Sequence, residues 1–297
     1  MPLVAPPPLR PGDSVAVFAG SSPFDRLLVL RGMAALRERY RILFSEGLFS
    51  RRGYLAGDDE RRANELSRWF RSGEVRAVIA ARGGYGLSRV VGRLDWDAFT
   101  RDPKWIVGFS DVTVLHVEAT RRGARSLHGP NVGSLGRADQ RQRRGVVTAL
   151  EGHGTPSMAG LSLVSPPTNG ATLEGPLVGG NLTMLHASAT AGRLSIPPGA
   201  IVLLEDVTER PYRLDRMVTT LVDGGHFGRA SGFLLGTFTE CTPGPDGVTA
   251  EEAVRARLQP LGLPVFAGAP VGHGAENDPF VVGERVRIDG SSLHRIA

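Results

Sequence analysis

An alternating α/β domain built on a parallel sheet, followed by a second domain, is the fold class that the sequence predicts. Two observations carry it. Short apolar runs at 14–19, 75–80 and 106–109 alternate with stretches of helical period, which implies right-handed crossovers and functional loops at the carboxyl ends of the strands. The composition then changes between Gly136 and Gly170, becoming arginine-rich and afterwards rich in Pro, Gly and Ser, before strand-like runs resume. The expected division is an N-terminal domain over 1–155, a linker over 156–170 and a C-terminal domain over 171–297.

Each element has its own reason. After a proline-rich lead, 14–19 reads as a strand delivered into Gly20-Ser21-Ser22-Pro23, with a helix over 26–39 behind it. A short strand at 42–44 and a helix from Leu55 through Phe70, capped by Asp58, come next. The strand 75–80 enters a tight glycine loop, Arg82-Gly83-Gly84-Tyr85-Gly86, and a helix follows near 88–93. The strand 106–109 and the helix 111–120 meet at Ser110. Beyond the linker, 173–182 leads into a helix through Thr190. A buried strand over 200–204 ends at Glu205-Asp206, a helix covers 212–222 and a strand 232–238. A helix over 250–258 precedes the strand 265–269, which runs out at Gly272-His273-Gly274. The alternation over 280–288 reads as an edge hairpin.

Composition excludes several functions. The chain has 297 residues, 41% hydrophobic and 22% charged, as globular proteins do. A net charge of +5 invites a nucleic-acid partner. The arginines, however, are interleaved with acids, Lys104 is the only lysine, and the densest basic run, 137–144, reads as a solvated helix start. Aromatic residues are sparse and form no stacking platform. No segment reaches roughly 18 uninterrupted apolar residues, and the N-terminus lacks a signal-peptide pattern, so neither a membrane nor a secreted setting is expected. The lone Cys241 agrees with a reducing compartment, and the cytoplasm is the expected location. No metal is expected: there is no H-E-x-x-H, and His128, His153, His226 and His294 show no ligand spacing. No cofactor is expected either, because the glycine loop has neither dinucleotide spacing nor the lysine of a phosphate loop.

The chemistry gathers at strand ends. Ser110 falls on the turn where a strand becomes a helix, the geometry of a nucleophile elbow, although a plain helix cap is the alternative. Val112 occupies the second glycine position of G-x-S-x-G, which argues against an α/β-hydrolase. Glu205 and His273 also follow apolar strands. A serine hydroxyl needs an imidazole to take its proton, and the imidazole needs a carboxylate to hold its tautomer. The residue types fit, while Asp206, Glu209 and Asp215 remain open as the orienting acid. His116 and His186 lie within helices and read as structural, and nothing near Cys241 activates a thiolate.

The series Gly53-Tyr54-Leu55-Ala56-Gly57, Ala80-Ala81-Arg82-Gly83-Gly84-Tyr85-Gly86, Gly108-Phe109-Ser110-Asp111-Val112-Thr113, His128-Gly129-Pro130, Gly179-Gly180-Asn181-Leu182, Leu204-Glu205-Asp206, Pro211-Tyr212-Arg213-Leu214-Asp215-Arg216 and Gly272-His273 resembles the serine LD-carboxypeptidases, or muramoyltetrapeptide carboxypeptidases. Microcin C self-immunity peptidases belong to the same family. The resemblance runs in order along nearly the whole chain. It implies a flavodoxin-like N-terminal domain, a swivelling β/β/α C-terminal domain and a homodimer. It also implies Ser110 as nucleophile, His273 as general base and acid, Glu205 as orienting carboxylate, and the N–H groups of Gly84 and Asp111 as the oxyanion hole. The implied reaction releases terminal D-alanine from a peptidoglycan tetrapeptide, so the expected partner is a muropeptide. Arg82 and Tyr85 are the candidate substrate contacts, Arg82 for the free carboxylate. The rivals are an immunity-type amidase acting on aminoacyl-nucleotide antibiotics and a non-catalytic muropeptide-binding module. One departure stands out: Val281 occupies the place where relatives carry a proline.

Overall fold

A computed structural model describes residues 3–165 and 172–296. The chain divides into two compact units, Met1–Gly154 with Pro279–Val281, and Thr155–Asp278 with Val282–Ala297. In the first, β1 (Ser14–Phe18), β2 (Arg41–Phe44), β3 (Val75–Ala80), β4 (Trp105–Gly108) and β5 (Ser126–His128) form a parallel array in the order β5-β4-β3-β1-β2. This is the flavodoxin-like order, whose switch point lies between β1 and β3. The strands β1, β3 and β4 are apolar and almost wholly buried, as a parallel sheet covered on both faces requires.

The helices follow from local chemistry. Asp58 caps Asp59–Arg71 by accepting the Arg61 N–H (2.8 Å), with Asp59 and Glu60 in the first turn and Arg68 and Arg71 in the last, a charge order that suits the helix dipole. On Arg26–Arg37, Gly32 is needed for packing, because a Cβ there would lie 1.9 Å from the Val132 carbonyl oxygen.

The second unit holds an eight-stranded sheet. Its members are β6 (Met158–Ala159), β7 (Ser162–Ser165), β8 (Leu173–Asn181), β9 (Ala200–Val207), β10 (Ala230–Thr239), β11 (Val265–Ala267), β13 (Glu284–Asp289) and β14 (Ser292–Arg295). The core β8-β9-β10-β11 is parallel, and β7, β13, β14 and β6 add antiparallel edges. The expected linker 156–170 therefore contributes two strands, β6 and β7, and its last five residues, 166–170, lie outside the described residues. The strand β8 escapes sequence patterning because glycines and a proline interrupt it. They are there for close approach: a Cβ at Gly179 would lie 2.1 Å from the Leu203 carbonyl oxygen. Helix Pro211–Asp223 starts with proline at its first turn, and Ala250–Leu258 starts with a Thr249–Glu252 capping box.

The expected hairpin over 280–288 is corrected. The hairpin is made by β13 and β14, whereas β12 (Phe280–Val282) joins the edge of the first sheet beside β5. The alternation that suggested one hairpin belongs to β13, whose residues are buried at every second position, while β12 is buried throughout. Val281 packs into the first unit's core, and Phe280 stacks on His128 with centroids 4.7 Å apart. Phe280→Ala should therefore cost about 3–5 kcal/mol of stability. Urea unfolding followed by circular dichroism measures this, and a loss below about 1 kcal/mol would separate β12 from the first core.

Candidate active site

The first unit presents Ser110 in a backbone conformation that serine rarely adopts, φ +65°. A side chain there crowds its own carbonyl, at a cost of roughly 1–2 kcal/mol. The surroundings enforce it. The strand β4 ends at Gly108, Phe109 is extended, and a tight turn at Ser110–Val112 runs into the helix Thr113–Arg121. Gly83 packs directly on the serine: a Cβ at that position would lie 2.8 Å from Ser110 Cβ and 3.0 Å from its Oγ. Gly108 is equally confined, because a Cβ there would meet Asn131 Oδ1 at 2.6 Å. Asn131 Oδ1 in turn accepts the Phe109 N–H (3.3 Å).

Buried His116 anchors the same turn. Its Nε2 lies 2.8 Å from the Gly108 carbonyl oxygen and its Nδ1 2.8 Å from Ser126 Oγ. A carbonyl can only accept, so Nε2 carries the proton and Nδ1 accepts from the serine. Burial pushes this histidine down to about 4 against the pull of the Gly108 bond.

The glycine loop is pinned from the other side. Ser22 Oγ accepts the Tyr85 N–H (3.1 Å), the Ser22 N–H donates to the Gly83 carbonyl (3.4 Å), and a Cβ at Gly84 would lie 2.5 Å from that hydroxyl. Asp111, buried one residue after Ser110, accepts the Leu87 N–H through Oδ2 (2.9 Å) and so ties the end of the glycine loop to the elbow. Burial pushes its carboxyl up to about 6, opposed by hydrogen bonding and by the charge of Arg62. Arg62, itself buried, donates to the carbonyls of Gly20 and Gly86 and pairs with Asp59. Arg82 and Tyr85 are exposed: Arg82 Nη1 donates to the Pro23 carbonyl (2.6 Å), and the Tyr85 ring sits 6.1 Å from that of Tyr54.

In the second unit His273 Nδ1 lies 2.8 Å from Glu205 Oε2. Glu205 is wholly buried and His273 partly exposed. The expectation that Glu205 lies past a strand end is corrected: β9 continues through Val207, so Glu205 is within it, opposite Asn181 of β8. Two glycines make room for it, since a Cβ at Gly272 would lie 2.9 Å from Glu205 Oε2 and one at Gly236 would lie 3.2 Å from Glu205 Cβ. The Gly272 N–H donates to Asn277 Oδ1 (3.1 Å), which fixes the loop carrying His273. Burial alone would lower the His273 pKa; the hydrogen bond and charge of Glu205 outweigh it and raise it above the ordinary value.

The other carboxylates are occupied elsewhere. Asp206, on the opposite face of β9, accepts from Asn181 Nδ2 (3.0 Å), the Thr183 N–H (2.9 Å) and Thr183 Oγ1 (2.8 Å). Glu209 pairs with Arg213 (3.5 Å), and Asp215 meets Thr219 Oγ1 (3.4 Å). Burial pushes the Cys241 thiol up to about 11, the reverse of activation. Among the described residues no cluster of His, Cys, Asp or Glu could hold a metal ion, and no helix is long and apolar enough to cross a membrane. Sequence reasoning named the glycine loop but missed Ser22 as its prop and the packing of Gly83 on Ser110; both are signalled only by their place after β1 and β3.

A left-handed serine after a parallel strand in the first unit, and a buried carboxylate hydrogen-bonded to a histidine in the second, are residue types that a serine-type peptidase uses. Residues 15–129 match the model of the LD-carboxypeptidase N-terminal domain, and residues 174–288 match that of the C-terminal domain. The chain belongs to the LD-carboxypeptidase family. It is 36% identical to a Synechocystis sp. relative bearing a carboxypeptidase name, over 97% of this chain and 95% of that one. With the murein tetrapeptide carboxypeptidase of Pseudomonas aeruginosa it shares 32% identity over 81% of each chain. The crystal structure of muramoyltetrapeptide carboxypeptidase from Oxalobacter formigenes superposes with a TM-score of 0.84 at 27% identity, covering 94% of this chain and 97% of that one. The microcin C7 self-immunity protein MccF shares the fold, with a TM-score of 0.85 at 20% identity over 99% of both chains.

The two buried titrating groups beside the elbow act on stability with opposite signs. His116 moves from an ordinary 6.5 to about 4 on folding, so its contribution is full above pH 6.5 and is lost as pH falls through that window. Asp111 moves from 3.8 to about 6, so its contribution is full below pH 3.8 and is lost as pH rises through 6. Asp111→Asn removes only the second effect. Its stability should fall more steeply than that of the wild type between pH 6.5 and 4.5 in urea titrations, and parallel curves would contradict this assignment.

Proposed function

We propose that the chain hydrolyses the amide joining an L-centre of a murein tetrapeptide to its terminal D-alanine, with Ser110, His273 and Glu205 as the catalytic triad. The observation that carries the reading is the hydrogen-bonded pair of buried Glu205 and His273. A carboxylate inside a sheet is costly unless paired, and this pairing leaves Nε2 as the ring's working nitrogen. The family and the Pseudomonas relative support the substrate class.

The chemistry then runs as follows. Ser110 Oγ attacks the carbonyl carbon while its proton passes to His273 Nε2, and the new C–O bond leaves a negative oxygen. The N–H groups of Asp111 and Gly84 receive that charge; among the described residues no hydrogen bond from the Gly84 N–H competes. Collapse breaks the C–N bond as His273 gives its proton to the D-alanine nitrogen. Water, deprotonated by His273, attacks the acyl carbon, and as the C–Oγ bond breaks His273 returns the proton to Ser110 Oγ. Arg82 and Tyr85 contact the substrate. Family resemblance and the single Cys241 support a homodimer working in the cytoplasm. The immunity-type alternative needs an aromatic ring to stack a base, and the exposed Tyr54–Tyr85 pair is the feature that favours it.

Mass spectrometry of a muropeptide tetrapeptide should show loss of one D-alanine, and an all-L counterpart should survive. Cleavage of an aminoacyl sulfamoyl nucleotide in preference to the tetrapeptide would select the alternative. Glu205→Gln should keep the melting temperature and reduce kcat by at least about a thousandfold, since the equivalent change in a serine-protease triad costs about 10⁴. Asp206→Asn, Glu209→Gln and Asp215→Asn should each cost far less. Because Glu205 raises the His273 pKa, the acid limb of wild-type kcat/KM should have its midpoint above pH 6.5.

A further inference from the structure

A cavity of about 390 Å³ opens in the first unit beside the glycine loop, walled by Ser22, Pro23, Arg51, Tyr54 and Arg82 among others. It is strongly cationic. Neither Asp nor Glu lines it, and Arg51 is exposed with no hydrogen bond or ion pair among the described residues. Arg82 spends one donor on the Pro23 carbonyl, and a guanidinium carries five. Two arginine forks in an open pocket suit a planar carboxylate. The volume is near the lower end of ligand pockets, which run to about 1,000 Å³, and it suits a single amino acid better than a glycan.

The cavity is tied to the elbow. Ser22 is at once a wall of it and the prop of the glycine loop through the Tyr85 N–H. Gly83, the residue after Arg82, packs on Ser110. Consecutive Cα atoms are about 3.8 Å apart, so Arg82 begins one residue from the group that touches the nucleophile.

We propose that Arg51 and Arg82 form the subsite for the free α-carboxylate of the departing residue, and that this subsite restricts cleavage to one residue from the chain end. The proposal rests on the hydrolase reading above, with Ser110 as nucleophile. The neutral Tyr54 and Pro23 walls leave the charge of the two arginines uncompensated until a carboxylate enters.

The test compares a muropeptide tetrapeptide ending in free D-alanine with the same peptide ending in D-alaninamide, by kcat/KM. The wild type should prefer the acid. Arg51→Met and Arg82→Met should each lower kcat/KM on the acid by roughly 10- to 100-fold, a loss at least about fivefold greater than on the amide, and Arg51→Lys should recover part of it. Equal losses on acid and amide, or an unchanged preference in both variants, would overturn the subsite while leaving the hydrolase reading intact. A wild type that cleaves neither peptide would reject the hydrolase reading and the subsite with it. Melting temperatures check folding, and if Arg51→Met does not fold, the acid-to-amide ratio of Arg51→Lys decides: a ratio equal to that of the wild type overturns the proposal.

Discussion

A single backbone reversal at Ser110 makes demands on the whole first unit. L-residues avoid that conformation because Cβ crowds the carbonyl, and it persists only where neighbours over-determine it. Here the neighbours are glycines whose missing side chains leave room, Gly83 from the loop after β3 and Gly108 at the end of β4. The parallel sheet brings the two together: β3 and β4 are adjacent, in register from Ala77 with Trp105 to Ile79 with Val107, and both deliver their loops at the same edge. A functional loop at the carboxyl ends of parallel strands is thus a consequence of topology, and the left-handed serine is what the topology holds.

Rigidity around the elbow comes from buried polar groups with defined partners. His116 holds the Gly108 carbonyl, Asn131 holds the Phe109 N–H, and Asp111 holds the Leu87 N–H. The ties made by Asn131 and Asp111 reach across 22 and 24 positions of the chain, and that of His116 across eight. Burying them costs desolvation, visible in the shifted pKa values of His116 and Asp111, and their hydrogen bonds offset it. An apolar replacement would pack, but it would leave backbone groups unpaired where the chain must reverse.

The second unit solves a different problem, that of keeping a carboxylate inside a sheet. Glu205 sits on the central strand β9, between β8 and β10, where only glycines at 236 and 272 leave space for its side chain. Its neighbour Asp206 points to the other face and serves the start of the helix Leu182–Thr190. Two adjacent acids therefore carry separate duties because successive side chains of a strand alternate faces.

Much was legible in the sequence. Buried runs such as 75–80, the Asp58 cap, the helix over 250–258 and the block order that marks the LD-carboxypeptidase family depend on local periodicity and spacing, which a chain carries with it. What needed tertiary structure was whatever depends on residues distant in sequence. The strand β5 is three residues long and β8 is broken by glycine and proline, so both form through pairing with neighbours rather than through their own propensity. The choice of Glu205 over Asp206 as the partner of His273 is a matter of which face of β9 looks toward a loop some 68 positions later. The tail read as one hairpin because periodicity reports burial and not the sheet that provides it; Phe280 and Val281 belong to the first unit and Glu284–Asp289 to the second. Sequence thus determined most of the elements, the family and the residue types of the candidate site, while the tertiary structure decided the remaining strands and the partners, because side-chain direction and strand neighbours are set by long-range packing.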